Sequence, residues 1–295
     1  MTDLIQAFSD YLVNTKNASK NTLDSYRRDL SKFLKYLDEN EVGAPSCNKE
    51  CIQTYLDVLK KQGKTNATLV RVLASIRCFY QFLIFDGQCD QNPTKNIVLE
   101  KVEKKLPEIL SQREVDALLA QPDITTLRGC RDKAMLELLY ATGVRVSELI
   151  DLNLDNVNLQ VNLLHCTSEK NDRIIPIYKS AVKAVEDYLV RVRPVLVSNR
   201  SEKALFLNMN GERLTRQGFW KIIKGYAQSA GIEKSITPHT MRHSFAAHLL
   251  ENGAGIKDIK DMLGHSGISS TQVYAQIIKQ KYDASYKKFH PKAGQ

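Results

Sequence analysis

Residues 237–250 read TPHTMRHSFAAHLL and bring His239, Arg242 and His243 to the head of an apolar-periodic segment. Thr237 is an acceptable N-cap and Pro238 suits the first helical position. On such a helix His239 and Arg242, three residues apart, share one face of the first turn. Free backbone N–H groups and the positive end of the helix dipole point the same way, which makes an anion site. The rival chemistry is a metal, since His239 and His243 have the four-residue spacing of an HExxH helix. Two residues weigh against that reading: Thr240 stands where the glutamate base would be, and Arg242 puts a fixed cation between the ligands, so a zinc hydrolase is left as the last alternative, for a metal assay to decide. His243 and His248 read as partly exposed structural histidines.

Two further stretches carry groups of the same kind. ATGVRVSELIDL, residues 141–152, has Gly143 for a sharp turn, then Arg145, with Ser147 and Glu148 opening a short helix. LGHSGISSTQVYAQI, residues 263–277, brackets His265 and Ser266 between Gly264 and Gly267. There Ser269 and Gln272 resemble a capping box, so a helix starts near 270 with Tyr274 one turn in. Arg145 alone reads as a surface arginine and Tyr274 alone as half-buried packing, one of 12 tyrosines.

The elements that must position these groups fall into two domains. Residues 1–86 read as about four helices; Leu23, Tyr26, Leu30, Phe33, Leu34 and Leu37 recur at helical spacing, as do Leu69, Val72, Leu73, Ile76, Phe79, Tyr80 and Leu83. Their polar positions are basic: Lys16, Lys20, Arg27, Arg28, Lys32, Lys60, Lys61, Lys64, Arg71 and Arg77, either a solvated face or a DNA-facing one. Residues 87–110 are polar, charged and Pro-punctuated, the composition of a linker. Residues 111–295 open on the capping box Ser111/Glu114 and alternate strong helices with short β-like runs at 162–166, 173–178 and 204–207. The fold class is therefore mainly α with a small antiparallel sheet, a helical domain followed by an α+β domain.

The bulk numbers narrow the partner. Over 295 residues, 43% hydrophobic, the net charge is +9, which favours a polyanion, nucleic acid before an anionic membrane. No signal peptide and no run of about 18 apolar residues is read, so no membrane role is expected. The six cysteines are scattered without a CxxC, and read as reduced, partly buried thiols of a cytoplasmic protein.

ATGVRVSEL, PHTMRHSFAAHLL and LGHSGISSTQVYAQI, in this order, resemble the three signature boxes of the tyrosine site-specific recombinases. LTRQGFWKIIKGYAQSAGI, residues 214–232, is similar to the segment before the second box in the Xer branch. The resemblance covers most of 106–291, and more loosely the helical half, which is similar to the family's core-binding domain. It implies a catalytic set of Arg145, His239, Arg242 and His265 around the nucleophile Tyr274. It also implies a lysine on the hairpin after the first box. The chain departs there: CTSEKNDRIIPI puts Ser168 in the lysine's place counted back from Pro176, and Lys170 near it counted forward from Arg145; Lys170 is expected to serve.

By the same resemblance Tyr274 attacks a DNA phosphodiester to leave a 3′-phosphotyrosine, His239 takes its proton, His265 holds a phosphate oxygen and Lys170 protonates the leaving 5′ oxygen. Two arginines are suited to the non-bridging oxygens and to charge developing in the transition state. No metal, cofactor or ATP is expected; the chain has no GxxxxGK[ST] loop. The family implies double-stranded DNA with a specific site, a tetramer of identical or related recombinases, a possible septal DNA translocase, and nucleoid-associated cytoplasmic work in chromosome dimer resolution. A mobile-element integrase of the same chemistry, or a non-catalytic architectural DNA binder, are the alternatives. The last segment, IIKQKYDASYKKFHPKAGQ, is expected to dock on a neighbouring subunit or on its own domain.

Overall fold

The computed structural model describes residues 2–100, 106–167, 172–199, 201–277 and 279. The chain divides into two compact units, Met1–Lys104 and Lys105–Gln295.

The first unit holds four helices, α1 (Thr2–Asn14), α2 (Lys20–Glu39), α3 (Lys49–Lys61) and α4 (Asn66–Phe85). Each of the last three starts on a side-chain cap: Ser19, Asn48 and Thr65 accept the backbone N–H of Thr22, Cys51 and Thr68, satisfying donors that a helix N-terminus leaves orphaned. Their apolar stripes meet in one core around Phe8, Leu30, Phe33, Ile52, Ile76, Phe79 and Leu83. By length and composition α4 would pass for a membrane span, with mean hydropathy 1.5, because only Arg71 and Arg77 interrupt it. Its apolar face is instead spent on this core.

All ten basic residues singled out in this unit are exposed. Three are already engaged, Lys16 among them with its Nζ over the Tyr11 ring, 5.8 Å from the centroid. Arg71 on α4 pairs with the buried Asp29 of α2, and Arg77 donates to Thr94 Oγ1 and to the carbonyls of Thr94 and Ile97. The polar stretch after α4 is thus tied down in its first half: Thr94 is fully buried and Ile97 belongs to the core of the helices.

The second unit runs α5 (Gln112–Ala120), α6 (Leu127–Thr142), α7 (Val146–Asp151), β1 (Val157–Asn158), β2 (Leu163–Cys166), β3 (Arg173–Pro176), α8 (Lys179–Arg191), α9 (Arg193–Leu196), α10 (Arg216–Ser229), α11 (Pro238–Glu251) and α12 (Ile256–Leu263). Residues 269–277 are helical again. The sheet is antiparallel in the order β1-β2-β3, with Cys166 opposite Arg173 and Leu164 opposite Ile175. Leu164, Cys166, Arg173 and Ile175 point inward, the alternation a one-sided sheet demands.

Two of the three expected runs, 162–166 and 173–178, supply β2 and β3 of the sheet; the third does not. Residues 204–207 form no strand; Ala204 and Leu207 make single bridges to Asn153 and Arg213. All four side chains are fully buried, so this stretch threads the core. Its polar groups are satisfied singly, Leu205 N–H by Leu152 O and Leu207 N–H by the Tyr188 hydroxyl. The third strand is the short β1.

Helix α6 is the spine of this unit. It is buried nearly all round, within a core of Leu110, Val115, Leu136, Leu139, Tyr188, Phe206, Phe219 and Met241. A smaller cluster of Phe245, Ala246, Ile259, Leu263 and Tyr274 lies between α11, α12 and the helical residues 269–277.

Candidate active site

Helix α6 ends at Gly143, whose φ of 58° is left-handed, and the chain turns directly into α7 with Arg145 as its N-cap residue. A Cβ at Gly143 would lie 2.3 Å from Phe245 Cδ1 of α11, so only glycine lets the turn approach that helix. The Gly143 carbonyl accepts Arg242 Nη1 at 2.6 Å, and the Leu263 carbonyl at the end of α12 accepts Nη2 at 2.5 Å. Arg242 is only 4% exposed. Burial first, then the nearby Arg145, lowers its pKa to about 10, which still leaves it charged at neutral pH.

Arg145 is held from two sides. Its Nη2 donates to the Gly264 carbonyl at 3.2 Å, and its Nη1 and backbone N–H donate to Glu148 at 3.1 and 2.7 Å. Glu148 also takes a bidentate pair from Arg173 of β3, at 2.9 and 2.8 Å, and Arg173 Nε donates to the Met262 carbonyl at 2.7 Å. One carboxylate thus fixes two guanidiniums, and Arg173 ties the sheet to the last turn of α12, just before the loop that follows it. Burial works to raise the Glu148 pKa. The Arg173 bonds, the Arg145 N–H and the two positive charges outweigh it and hold the carboxyl below its ordinary range.

That loop carries His265. Gly264 takes a left-handed φ of 62° and turns the chain back, and His265 Nδ1 lies 2.9 Å from the buried Thr271 Oγ1. Burial, followed by Arg242 and Arg145, lowers the His265 pKa to about 4, so the imidazole is neutral.

Tyr274 follows, 1% exposed, with its hydroxyl 2.9 Å from His243 Nδ1. Burial raises its pKa, while Arg242 and Arg145 pull the other way, as cations near a phenolate must. His239 is exposed, and among the described residues its side chain makes no hydrogen bond; its ring lies 6.3 Å from that of His243. His248 is buried rather than partly exposed, wedged between the Tyr140 hydroxyl at 2.8 Å and the Leu110 carbonyl at 2.9 Å.

Arg145, Arg242, His265 and Tyr274 therefore converge from three separate segments. Lys170, the expected hairpin lysine, and the last segment from 280 on lie outside the described residues. Among the described residues no three His, Cys, Asp or Glu side chains gather as a metal site would need.

Sequence reasoning missed Glu148, Arg173 and His243 as parts of this site. Glu148 stands three residues after an N-cap, where an acid bonds back to the cap. Arg173 has the register of buried Ile175, an inward charge that must have a partner. His243 shares a helix face with His239, but nothing local ties it to Tyr274.

The low proton affinities predict an acid-sensitive fold. Burial, then His239 and Arg242, lower the His243 pKa to about 4, and His265 is lowered as far. Between the ordinary histidine value of about 6.5 and about 4, the unfolded chain binds protons that the native site refuses. Stability therefore falls as the pH drops through that window. Thermal melts from pH 7.5 to 4.5 should show it, with a shallower fall in His265→Asn. Equal slopes for the two proteins would rule out this origin.

The site and the fold have close relatives. The profile of the phage integrase family matches residues 108–281, and that of the phage integrase N-terminal SAM-like domain matches residues 5–87. Tyrosine recombinase XerD of Staphylococcus epidermidis is 43% identical over 295 residues, 99% of this chain and 100% of that protein. Tyrosine recombinase XerD of Oceanobacillus iheyensis is 46% identical over 293 residues, 98% of each chain. Among solved structures, the XerH site-specific recombinase bound to palindromic difH substrate superposes with a TM-score of 0.76 at 20% identity, over 92% of this chain and 81% of that one. A lambda integrase dimer bound to a core site does so with a TM-score of 0.72 at 16% identity, over 92% and 96%. These two likenesses speak to the fold. With the full-length relatives beside them, the conclusion is direct: the chain belongs to the phage integrase family and is a tyrosine recombinase, an enzyme that breaks and rejoins DNA strands.

Proposed function

We propose that the chain recombines double-stranded DNA at a specific site through a 3′-phosphotyrosyl intermediate on Tyr274, as an Xer-type recombinase that resolves chromosome dimers. The observation that carries the reading is that two guanidiniums from different segments, Arg145 and Arg242, both bond the carbonyls at the end of α12, Gly264 and Leu263, and Leu263 belongs to the cluster that buries Tyr274. Full-length relatives named XerD support the Xer assignment over a mobile-element role.

In this reading Arg145 and Arg242 take the non-bridging oxygens of the scissile phosphate, each keeping N–H donors beyond those given to carbonyls and Glu148. Their charge meets the charge that grows in the transition state. Neutral His265, held by Thr271, hydrogen-bonds a phosphate oxygen. His239, exposed one turn of α11 before Arg242, belongs to the same site, and Lys170 protonates the leaving 5′ oxygen. The phosphotyrosine conserves the energy of the broken bond, so a 5′ hydroxyl from another strand can attack it without ATP. A tetramer on DNA, of identical or related recombinases, with a septal DNA translocase as activator in the nucleoid, completes the proposal.

The test is covalent trapping in EDTA. The probe is a nicked duplex whose site is selected from a random-sequence duplex pool by binding to the purified chain; the nick lets the cut fragment diffuse away. The expected result is a denaturant-resistant adduct on the 3′ phosphate. Lys170→Ala should slow its formation by about 10²–10⁴-fold, the usual range for a lost general acid. A sulfur at the bridging 5′ position, which leaves without a proton, should restore the rate. An unchanged rate would move the acid role off Lys170. Intact binding with no adduct would favour a non-catalytic DNA binder.

A further inference from the structure

His243 is the nearest polar neighbour of the nucleophile. Its Nδ1 lies 2.9 Å from Tyr274 Oη, and among the described residues that hydroxyl has no other hydrogen-bond partner. A phenol O–H enclosed at 1% exposure has to donate to something, and His243 Nδ1 is what it meets. The imidazole is then the tautomer with its proton on Nε2 and its Nδ1 lone pair on the phenol. His239 stands one helical turn nearer solvent, its ring 6.3 Å from that of His243, whereas the His243 and Tyr274 rings are 5.6 Å apart.

We infer that His243, not His239, is the catalytic residue that receives the Tyr274 proton, a reading that rests on Tyr274 being the nucleophile. As Tyr274 Oη bonds to phosphorus, its proton passes to His243 Nδ1 while the bond to the 5′ oxygen breaks and that oxygen takes a proton from the general acid. In the return step the incoming 5′ hydroxyl gives its proton to the general acid left deprotonated by the first step, and His243 gives its own back to the departing phenolate, so nothing is consumed.

The surroundings make the transfer conditional. Without DNA, burial holds the proton on the phenol, and burial with the charges of His239 and Arg242 keeps the imidazole from accepting it. A phosphodiester bound at Arg242 brings a negative charge that offsets one of those causes. The nucleophile is thus stored as a hydrogen-bonded phenol until its substrate is present. His239, at the exposed mouth, remains for a phosphate oxygen.

The experiment uses the same nicked duplex, with oxygen or sulfur at the bridging 5′ position. His243→Ala is expected to slow adduct formation by about 10²–10³-fold on both duplexes, because the sulfur relieves only the leaving-group side. His243→Asn, whose side-chain oxygen can stand in for Nδ1 as an acceptor but cannot hold the proton, should be slowed to a similar degree at unchanged duplex affinity. Wild-type rates in His243→Asn would reduce His243 to a positioning contact and overturn the inference. Rescue of His243→Ala by sulfur would place it on the leaving-group side, and a faster His243→Ala would make the contact a restraint; either outcome overturns it as well. If His243→Ala does not bind the duplex, His243→Asn alone decides. A wild-type enzyme that forms no adduct would instead strike at the nucleophile assignment itself.

Discussion

Tyr274→Phe is expected to bind the selected duplex with wild-type affinity and to form no detectable covalent adduct. Removing the nucleophile from a site whose groups act together costs about 10⁴-fold or more, since what remains can only hold the phosphate. The ring stays where it is, packed on Phe245, Ile259 and Leu263, so the core cluster loses no apolar volume. The loss at the hydroxyl is one hydrogen bond and a partner for His243, about 1–3 kcal/mol at most. Activity and stability should therefore separate: a melting point within a few degrees of wild type and an adduct yield at background. An adduct surviving in Tyr274→Phe would show that another residue attacks the phosphate.

Glu148→Gln should do the reverse, damaging the fold of the second unit together with its chemistry. The Glu148 side chain is 13% exposed and that of Arg173 7%, and the carboxylate joins Arg173 to Arg145. An uncharged amide leaves the buried Arg173 without its counter-charge, and breaking a buried pair on one side costs about 3–5 kcal/mol. For a unit of this size the melting midpoint should fall by about 10 °C. Arg145 loses the group that aims it, so adduct formation should slow as well.

The pH dependence gives a control with a definite sign. Because the Glu148 pKa is held below its ordinary value, its contribution is present above the unfolded-state pKa and is lost as the pH falls through the folded one. The gap in melting point between wild type and Glu148→Gln should be wide at neutral pH and should narrow as the pH falls below the ordinary carboxylate range. A gap of the same width throughout would mean that the charge of Glu148 is not what stabilises the fold.

Much of the fold is legible in the amino-acid sequence. The capping residues Ser111 and Thr237 and the stop at Gly143 mark helix ends by local chemistry, and the helices begin and end on them. Leu30, Phe33 and Leu37 declare a buried face through their spacing alone. A continuous apolar run declares less. ALFL at 204–207 has the composition of a strand, but with all four side chains buried nothing in it says whether a neighbouring strand or the hydroxyl of Tyr188 will satisfy its backbone.

The sequence by itself determined the inventory of this protein: two domains, a basic helical half, and three boxes that carry two arginines, their histidines and a tyrosine. Tertiary structure decided which of those groups touch. His239 and His243 lie four residues apart, about 40° around the same helix, so periodicity assigns both to one face. Only the packing of the helical residues 269–277 against α11 and α12 lays the phenol on the second. Glu148 meets Arg173, 25 residues away, because the inward register of β3 aims a guanidinium at the first turn of α7. Contacts of that kind follow from how surfaces meet across the fold, and spacing along the chain contains no information about them.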